Sequence, residues 1–347
     1  MKKIIIMPDS FKNTMDSKTV CEVIKKSLLE ENKDLEIKTY ELADGGEGTA
    51  KIFSNYLGLK MQKCKVVNAF GDDIEVLFGS NGEIAVIDIA SVVGFEANVN
   101  HVLNPSIAST KGIGLLLKEI INKNHKKIYI GLGGSITNDL GLGMISELGV
   151  KFYDVNGDII SPNGNNMGTI RKVDVSEQIS FGGSIICLSD VVSPLFGKTG
   201  AAQMFARQKG ASDEMIIDLE ENGKKVVKVI NEIVKECSDV PGSGAAGGLG
   251  FAFKTFFNAE MKSGIDEIIS FSGVEEEMDS NSIIITGEGK FDEQSLNGKV
   301  ISGIVKMASE KKVDVFVIAG YSDIKECLGI KQIISTTDKN TSFEEIK

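Results

Sequence analysis

The sequence has no tryptophan, two histidines, five prolines and five cysteines in 347 residues. His101 and His125 cannot build a His-rich metal site and leave little for a His-centred triad. Acid–base chemistry therefore falls to Asp, Glu or Lys. Cys21, Cys64, Cys187, Cys237 and Cys327 are odd in number and scattered, and none forms a Cys-x-x-Cys pair. Neither a zinc site nor a disulfide framework follows; they read as free buried thiols of a reducing cytoplasm. No apolar run approaches the roughly 18 residues of a membrane span. The apolar start at residues 4–7 meets charge again at Asp9 and Lys12, so it reads as a first buried strand rather than a secretory signal. Basic surface is also scarce. A net charge of −11 argues against nucleic-acid and membrane partners. It leaves room for a locally basic pocket that holds a phosphorylated ligand.

Glycine is what the chain has in abundance, 38 residues gathered in loops beside acidic or hydroxyl side chains. Around those loops the pattern alternates between strand and helix, which indicates an α/β fold. Residues 3–7 form a strand, and 17–31 an amphipathic helix with Val20, Val23, Ile24 and Leu28 on one face. Strands follow at 35–42, 65–68, 75–78, 84–89, 127–131, 184–188, 282–286 and 313–319. Helices fill 50–57, 113–123, a stretch up to 148, 212–237 and 299–311, and the Asn- and Gly-rich segment 154–168 reads as loop. At roughly 150 residues per domain, the length suggests about two domains.

Four strands end in polar loops, at residues 44–49, 133–139, 189–197 and 287–292. In α/β sheets, ligands bind where such loops converge, at the carboxyl ends of strands. Glycine there lets a ligand approach the backbone and frees N–H groups for anions. Three of the loops lead towards a helix, whose N-terminus favours phosphate. Asp44, Glu47, Asp139, Asp190, Glu288 and Asp292 lie in these loops. Such hard oxygen ligands suit Mg²⁺, which takes one or two carboxylates plus phosphate oxygens. Each one alone also reads as a turn or helix-cap residue, and Asp139, which opens a helix, fits that role. Asp190 stands apart, because it follows the apolar run Ile185-Ile186-Cys187-Leu188 and should be aimed from a sheet edge. Lys12, Lys198, Lys209, Lys290 and Lys299 sit in or beside loops, where an ammonium can hold phosphate or carboxylate. There is no Walker A motif and no Gly-x-Ser-x-Gly elbow. Gly242-Ser243-Gly244-Ala245-Ala246-Gly247 matches the dinucleotide fingerprint, but a helical segment precedes it where a strand is required.

The loops together resemble the type I glycerate kinases, ATP-dependent enzymes that phosphorylate D-glycerate. The resemblance runs over nearly the whole chain, in order. It starts at Pro8-Asp9-Ser10-Phe11-Lys12, Ala43-Asp44-Gly45-Gly46-Glu47-Gly48-Thr49 and Gly133-Gly134-Ser135-Ile136-Thr137-Asn138-Asp139. It continues through Asp190-Val191-Val192-Ser193-Pro194-Leu195, Gln208-Lys209-Gly210-Ala211 and Gly244-Ala245-Ala246-Gly247-Gly248. It closes with Thr286-Gly287-Glu288-Gly289-Lys290-Phe291-Asp292 and Gly298-Lys299. Ile136 stands where the family has Ala, Leu140 where it has Gly, and Arg207 where it has Pro. The family pattern goes on into a further C-terminal helix, whose start reads at residues 342–345.

The resemblance implies two α/β domains with the active site in the cleft between them. One is a Rossmann-like parallel-sheet domain built from both chain ends, residues 1–60 and 280–347. The other is an inserted α/β domain with a mixed sheet, residues 61–279. It implies cytoplasmic ATP- and Mg²⁺-dependent phosphoryl transfer to glycerate. The chemistry of that transfer then distributes the candidates. Asp190 orients or deprotonates the acceptor hydroxyl. Lys12 and Lys209, read as loop lysines outside the core, hold the substrate carboxylate or the moving phosphate. Asp44, Glu288 and Asp292 are the Mg²⁺ candidates. Asp44, Gly45, Gly46, Glu47, Gly133, Gly134, Ser135, Thr137, Asn138, Gly287 and Lys299 are expected to contact substrate or nucleotide. Two other classes stay open: a nicotinamide-dependent oxidoreductase using residues 242–247, and a non-catalytic protein that binds phosphorylated sugar acids. Which glycerate hydroxyl is phosphorylated is open as well.

Overall fold

The computed structural model describes residues 3–11, 14–43, 45–46, 48–234, 239–296 and 300–337, without the side chains of residues 294 and 296. Lys12, Asp44, Glu47, Cys237, Lys299 and residues 342–345 lie outside the described residues. The strands, in chain order, are β1 (Lys3–Ile6), β2 (Glu36–Thr39), β3 (Lys60–Val67), β4 (Asp73–Ser80), β5 (Ile84–Asp88), β6 (Lys127–Gly131) and β7 (Lys151–Tyr153). They continue as β8 (Ile159–Ile160), β9 (Lys172–Asp174), β10 (Ser184–Leu188), β11 (Glu260–Lys262), β12 (Ser282–Phe291), β13 (Asp314–Ser322) and β14 (Gln332–Ser335). Two compact units divide the chain: Met1–Asp44 with Ser263–Lys347, and Gly45–Lys262.

In the first unit the strands run β14-β13-β12-β1-β2, all parallel. Ile4, Ile5 and Ile6 of β1 are all buried, as expected for a parallel strand covered on both faces. The helix Ser17–Glu31 begins where Asp16 caps it, accepting the Thr19 N–H at 2.9 Å. It lays Val20, Cys21 and Ile24 against Ile4, Ile6 and Ile285.

The second unit holds a six-stranded mixed sheet, β11-β10-β6-β5-β4-β3. β11, β10, β6 and β5 are parallel, while β4 and β3 extend the sheet antiparallel. Asp88 pairs with Gly131, Gly131 with Leu188, and Leu188 with Lys262, so the carboxyl ends of the four parallel strands are in register. Phe78, Ile87, Ile130, Leu116, Phe251 and Phe253 anchor the core of this unit.

Several sequence expectations change. The units meet at residues 44/45 and 262/263 rather than at 60 and 280. The helix Thr49–Leu57 packs on β4 and β5, which ties it to the second unit. The helix Gly264–Ser272 goes with the first unit, where Ile265 lies against Gly303. The segment 154–168, expected as loop, contributes β8 to a small antiparallel sheet, β8-β7-β9. Asp154 makes the turn by accepting the N–H groups of Asn156 and Asp158, which brings Ile159 opposite Tyr153. β12 does not end at Thr286 but runs to Phe291, paired with β13 as far as Ser322. Gly287 is thus a strand residue, and a Cβ there would lie 1.9 Å from the Ile318 carbonyl oxygen. The close approach of β13 explains that glycine without any ligand.

Candidate active site

At the carboxyl ends of β6 and β10 three loops of the second unit are fastened to one another. Gly133 donates its N–H to the Gly45 carbonyl at 3.0 Å, and Leu132 donates to Leu188 at 3.0 Å. A Cβ on Gly133 would stand 2.4 Å from Gly46 Cα, and one on Gly45 2.6 Å from Leu188 O. These glycines let main chain lie directly on main chain. The loop at Gly45 and Gly46 then enters the helix Thr49–Leu57, where Asp88, at the end of β5, accepts the Ala50 N–H at 2.8 Å. Asp88 was not among the sequence candidates. It carries the signal that singled out Asp190, a carboxylate closing a buried apolar strand. The hydroxyl of Thr49 is fully buried and has no hydrogen-bond partner.

The loop of residues 133–139 is internally braced. Ser135 Oγ and Thr137 Oγ1 hydrogen-bond at 2.8 Å, and the Thr137 N–H donates to Ser135 Oγ at 3.0 Å. Both hydroxyls, expected to face phosphate, are buried and turned to each other. Asp139, fully buried, accepts from Thr110 N and Thr110 Oγ1, each at 2.8 Å, from Gly141 N at 3.0 Å and from Gly143 N at 3.3 Å. It fills the structural role the sequence allowed it, binding the starts of two helices into one corner. Burial pushes its carboxyl above the ordinary carboxylate value, and those hydrogen bonds pull it back. Between Thr137 and Asp139 lies Asn138, 1% exposed, with neither its amide oxygen nor its amide nitrogen hydrogen-bonded.

Lys209 closes the loop from the other side. Its 3-10 turn, Arg207–Lys209, is followed by Gly210, and its ammonium donates to the Thr137 carbonyl at 2.7 Å. Lys209 is 3% exposed, so the expectation of a loop lysine outside the core is wrong. Burial lowers its amine from 10.5 to about 7, against the opposing charge of Asp139. Asp190 follows β10 and is half-buried; the preceding Ser189 is tied by its N–H to Lys262 O at 3.0 Å. Gly244 donates to Ser193 O at 3.0 Å and Leu140 to Gly247 O at 3.1 Å, so the loop of residues 242–248 seals the same end. Ala246, Gly247 and Gly248 all have left-handed backbone, and a Cβ on Gly247 would meet Thr137 O at 2.0 Å. The helix before this loop is Asp213–Ile233, and no strand precedes Gly242 among the described residues. The nicotinamide reading therefore lacks its required context.

The model of the glycerate kinase family matches residues 4–347. The chain belongs to the glycerate kinase family. It is 35% identical to a glycerate 2-kinase of Escherichia coli K12 over 323 residues, covering 92% of this chain and 85% of that protein. It is 32% identical to a glycerate kinase of Bacillus cereus over 353 residues, covering 99% and 92%. A crystal structure from Salmonella typhimurium LT2, provisionally named glycerate kinase 2, superposes with a TM-score of 0.82 at 30% identity, covering 96% of this chain and 90% of that one. The chain is thus an enzyme of a kinase family with the two-sheet α/β fold of its solved relative.

The remaining carboxylate candidates among the described residues lie in the first unit. Asp9 donates its N–H to Gly287 O at 2.8 Å, and Thr286 Oγ1 donates to Met7 O at 2.9 Å, so the chain leaving β1 stays tied to β12, which runs on to Phe291. Glu288 is half-buried in β12. Asp292 accepts from Lys290 Nζ at 2.9 Å, and Lys290 also reaches Asp323 at 3.6 Å. Among the described residues no three His, Cys, Asp or Glu side chains stand together as a metal cage. No helix among them is long and apolar enough to cross a membrane.

Proposed function

We propose that the enzyme transfers the γ-phosphoryl group of ATP to a hydroxyl of D-glycerate. The observation that carries this reading is the fastening of three strand-end loops around a buried lysine at the carboxyl ends of the parallel strands of one mixed sheet. Phosphoryl transfer asks a protein chiefly for positioning and charge neutralisation, and a rigid corner of main chain supplies positioning. Asp190 accepts the proton of the attacking hydroxyl or holds that hydroxyl in line. Lys209 meets the substrate carboxylate or the moving phosphate, and an amine near 7 can become the ammonium when an anion arrives. Gly45, Gly46 and Gly134 offer backbone to the phosphates, while the Gly133 N–H is given to the Gly45 carbonyl.

The donor set fits Mg²⁺. Carboxylates that stand singly suit an ion that takes one or two of them and completes its shell with phosphate and water. Glu288, Asp292, which is also paired with Lys290, and Asp44 are the candidates. Bound there, Mg²⁺ would neutralise charge on the phosphates. The Escherichia coli relative is named for the 2-position, so 2-phosphoglycerate is the expected product. ATP as donor supports a cytoplasmic reaction.

The test is ADP release with D-glycerate as acceptor, followed by NMR of the product. D-Glycerate-dependent ADP with a phosphoglycerate product supports the reading; ligand binding without ADP would mark a non-catalytic sensor.

A further inference from the structure

Asn138 is the polar side chain whose placement the fold does not explain. It is 1% exposed, and both ends of its amide lack a hydrogen-bond partner. An amide buried this way costs stability, and proteins retain such groups where something else completes them. Its neighbours along the chain are fully committed: Thr137 to Ser135 and Lys209, Asp139 to Thr110, Gly141 and Gly143. Within this loop Asn138 has both a donor and an acceptor without a partner.

The pairing pattern selects the ligand. A phosphate or a carboxylate alone offers only acceptors, which would satisfy the amide nitrogen and repel the amide oxygen. A hydroxyl can donate to Oδ1, and an oxygen on the next carbon can accept from Nδ2. A small hydroxy acid carries that pair. Lys209, whose ammonium donates to Thr137 O, can take the acid's negative charge. Backbone crowds the residue on two sides: a Cβ on Gly247 would lie 3.0 Å from Asn138 Cα, and one on Gly164 3.1 Å from Asn138 O.

We propose that Asn138 is the hydroxyl-reading residue of the acceptor site, and that it makes the enzyme demand a dihydroxy acid. This rests on the glycerate kinase reading above. Asn138 touches the hydroxyl that is not phosphorylated, so it sets selectivity rather than chemistry.

The experiment compares kcat/KM for D-glycerate, D-lactate and 3-hydroxypropionate in the full chain. Whichever hydroxyl reacts, one of the two analogues keeps it and lacks the other. The parent should use that analogue at least about 100-fold less well than D-glycerate, since a site built to bond a hydroxyl rejects its absence. In Asn138→Leu, kcat/KM for D-glycerate should fall by about 100-fold while that for the analogue moves less than about threefold. Equal losses on both acceptors, or a change in ATP-over-GTP preference with acceptor selectivity intact, overturns the proposal. A second readout needs no turnover. Leucine has nearly the shape of asparagine and no unmet polar atoms, so Asn138→Leu should raise the melting temperature of the ligand-free protein and abolish its rise with D-glycerate. A lower melting temperature, or an unchanged response to D-glycerate, would show a structural amide instead. Parent protein that neither turns over D-glycerate nor is stabilised by it refutes the function itself. A parent that uses D-glycerate with no preference over the analogue refutes only the role of Asn138.

Discussion

Replacing Lys209 by methionine should stabilise the enzyme and cripple it. The side chain is 3% exposed, and burial lowers its amine from 10.5 to about 7. Below pH 7 the folded state carries a buried ammonium; between pH 7 and 10.5 it has shed a proton that the unfolded chain keeps. The unfolded state then binds more protons, so this residue's penalty shrinks as pH rises through that window. At about 1.4 kcal/mol per pH unit, the penalty is on the order of 5 kcal/mol at pH 6 and about 2 kcal/mol at pH 9. Methionine keeps the length and removes the charge. It also leaves the Thr137 carbonyl without its donor, which costs about 1–3 kcal/mol. Lys209→Met should therefore be more stable than the parent by about 2–4 kcal/mol at pH 6, and close to it at pH 9. Urea unfolding of both proteins at several pH values reads this directly. Over the same range, kcat/KM should fall about 30- to 150-fold, the worth of a charge-assisted contact. A variant that is less stable at pH 6, or a stability difference that does not change with pH, would refute a neutral-leaning buried lysine.

Asp190→Asn should lower kcat by about 10²–10⁴ with little change in melting temperature, as expected for a lost general base; a near-parental kcat would remove Asp190 from the chemistry. Activity should disappear in EDTA and return with Mg²⁺, since scattered carboxylates suit that ion, and turnover in excess chelator would contradict the metal assignment. Gly133→Ala should destabilise by about 1–3 kcal/mol and reduce activity, because its Cβ would stand 2.4 Å from Gly46 Cα. Unchanged unfolding of that variant would mean that the two loops are not held together.

The strand-end loops were legible because two local signals agree there. A buried apolar strand has a distinct pattern, and the residue that breaks it marks the sheet edge, as at Asp190 and equally at Asp88. Burial within a loop was not legible. Lys209 sits in a polar, glycine-flanked stretch that reads as surface, and its desolvation comes from residues far away in sequence, Thr137 at 72 positions' distance. The extension of β12 was hidden for the same reason. Gly287 reads as a loop residue until β12 and β13 are seen to run too close there for a side chain, as they do again at Gly320. Leu140 shows the reverse case. It stands where the family resemblance has glycine, yet it keeps a left-handed backbone at φ +55°. That conformation costs a leucine about 1–2 kcal/mol. Burial to 3% exposure against Gly223 and the bond to Gly247 O offset it, and neither could be read from the motif.

Lys209 and Asn138 weaken the fold for the same reason, and their surroundings explain how it tolerates them. An amine driven towards neutrality and an amide with no partner are each unfavourable in the free protein. Asn138 belongs to one loop, and Lys209 is bonded to it through Thr137 O; the loop's other members are well bonded, Asp139 gathering four N–H or O–H donors from Thr110, Gly141 and Gly143. A rigid frame of this kind prevents the loop from relaxing to pair the Asn138 amide. The groups therefore stay presented, and a ligand that pairs them recovers at binding the free energy the fold gave up. Local rules of burial and pairing fail at Lys209 and Asn138 and hold in the residues that brace them. Such a pattern is expected where stability has been traded for a preorganised site, and not where a sequence merely packs poorly.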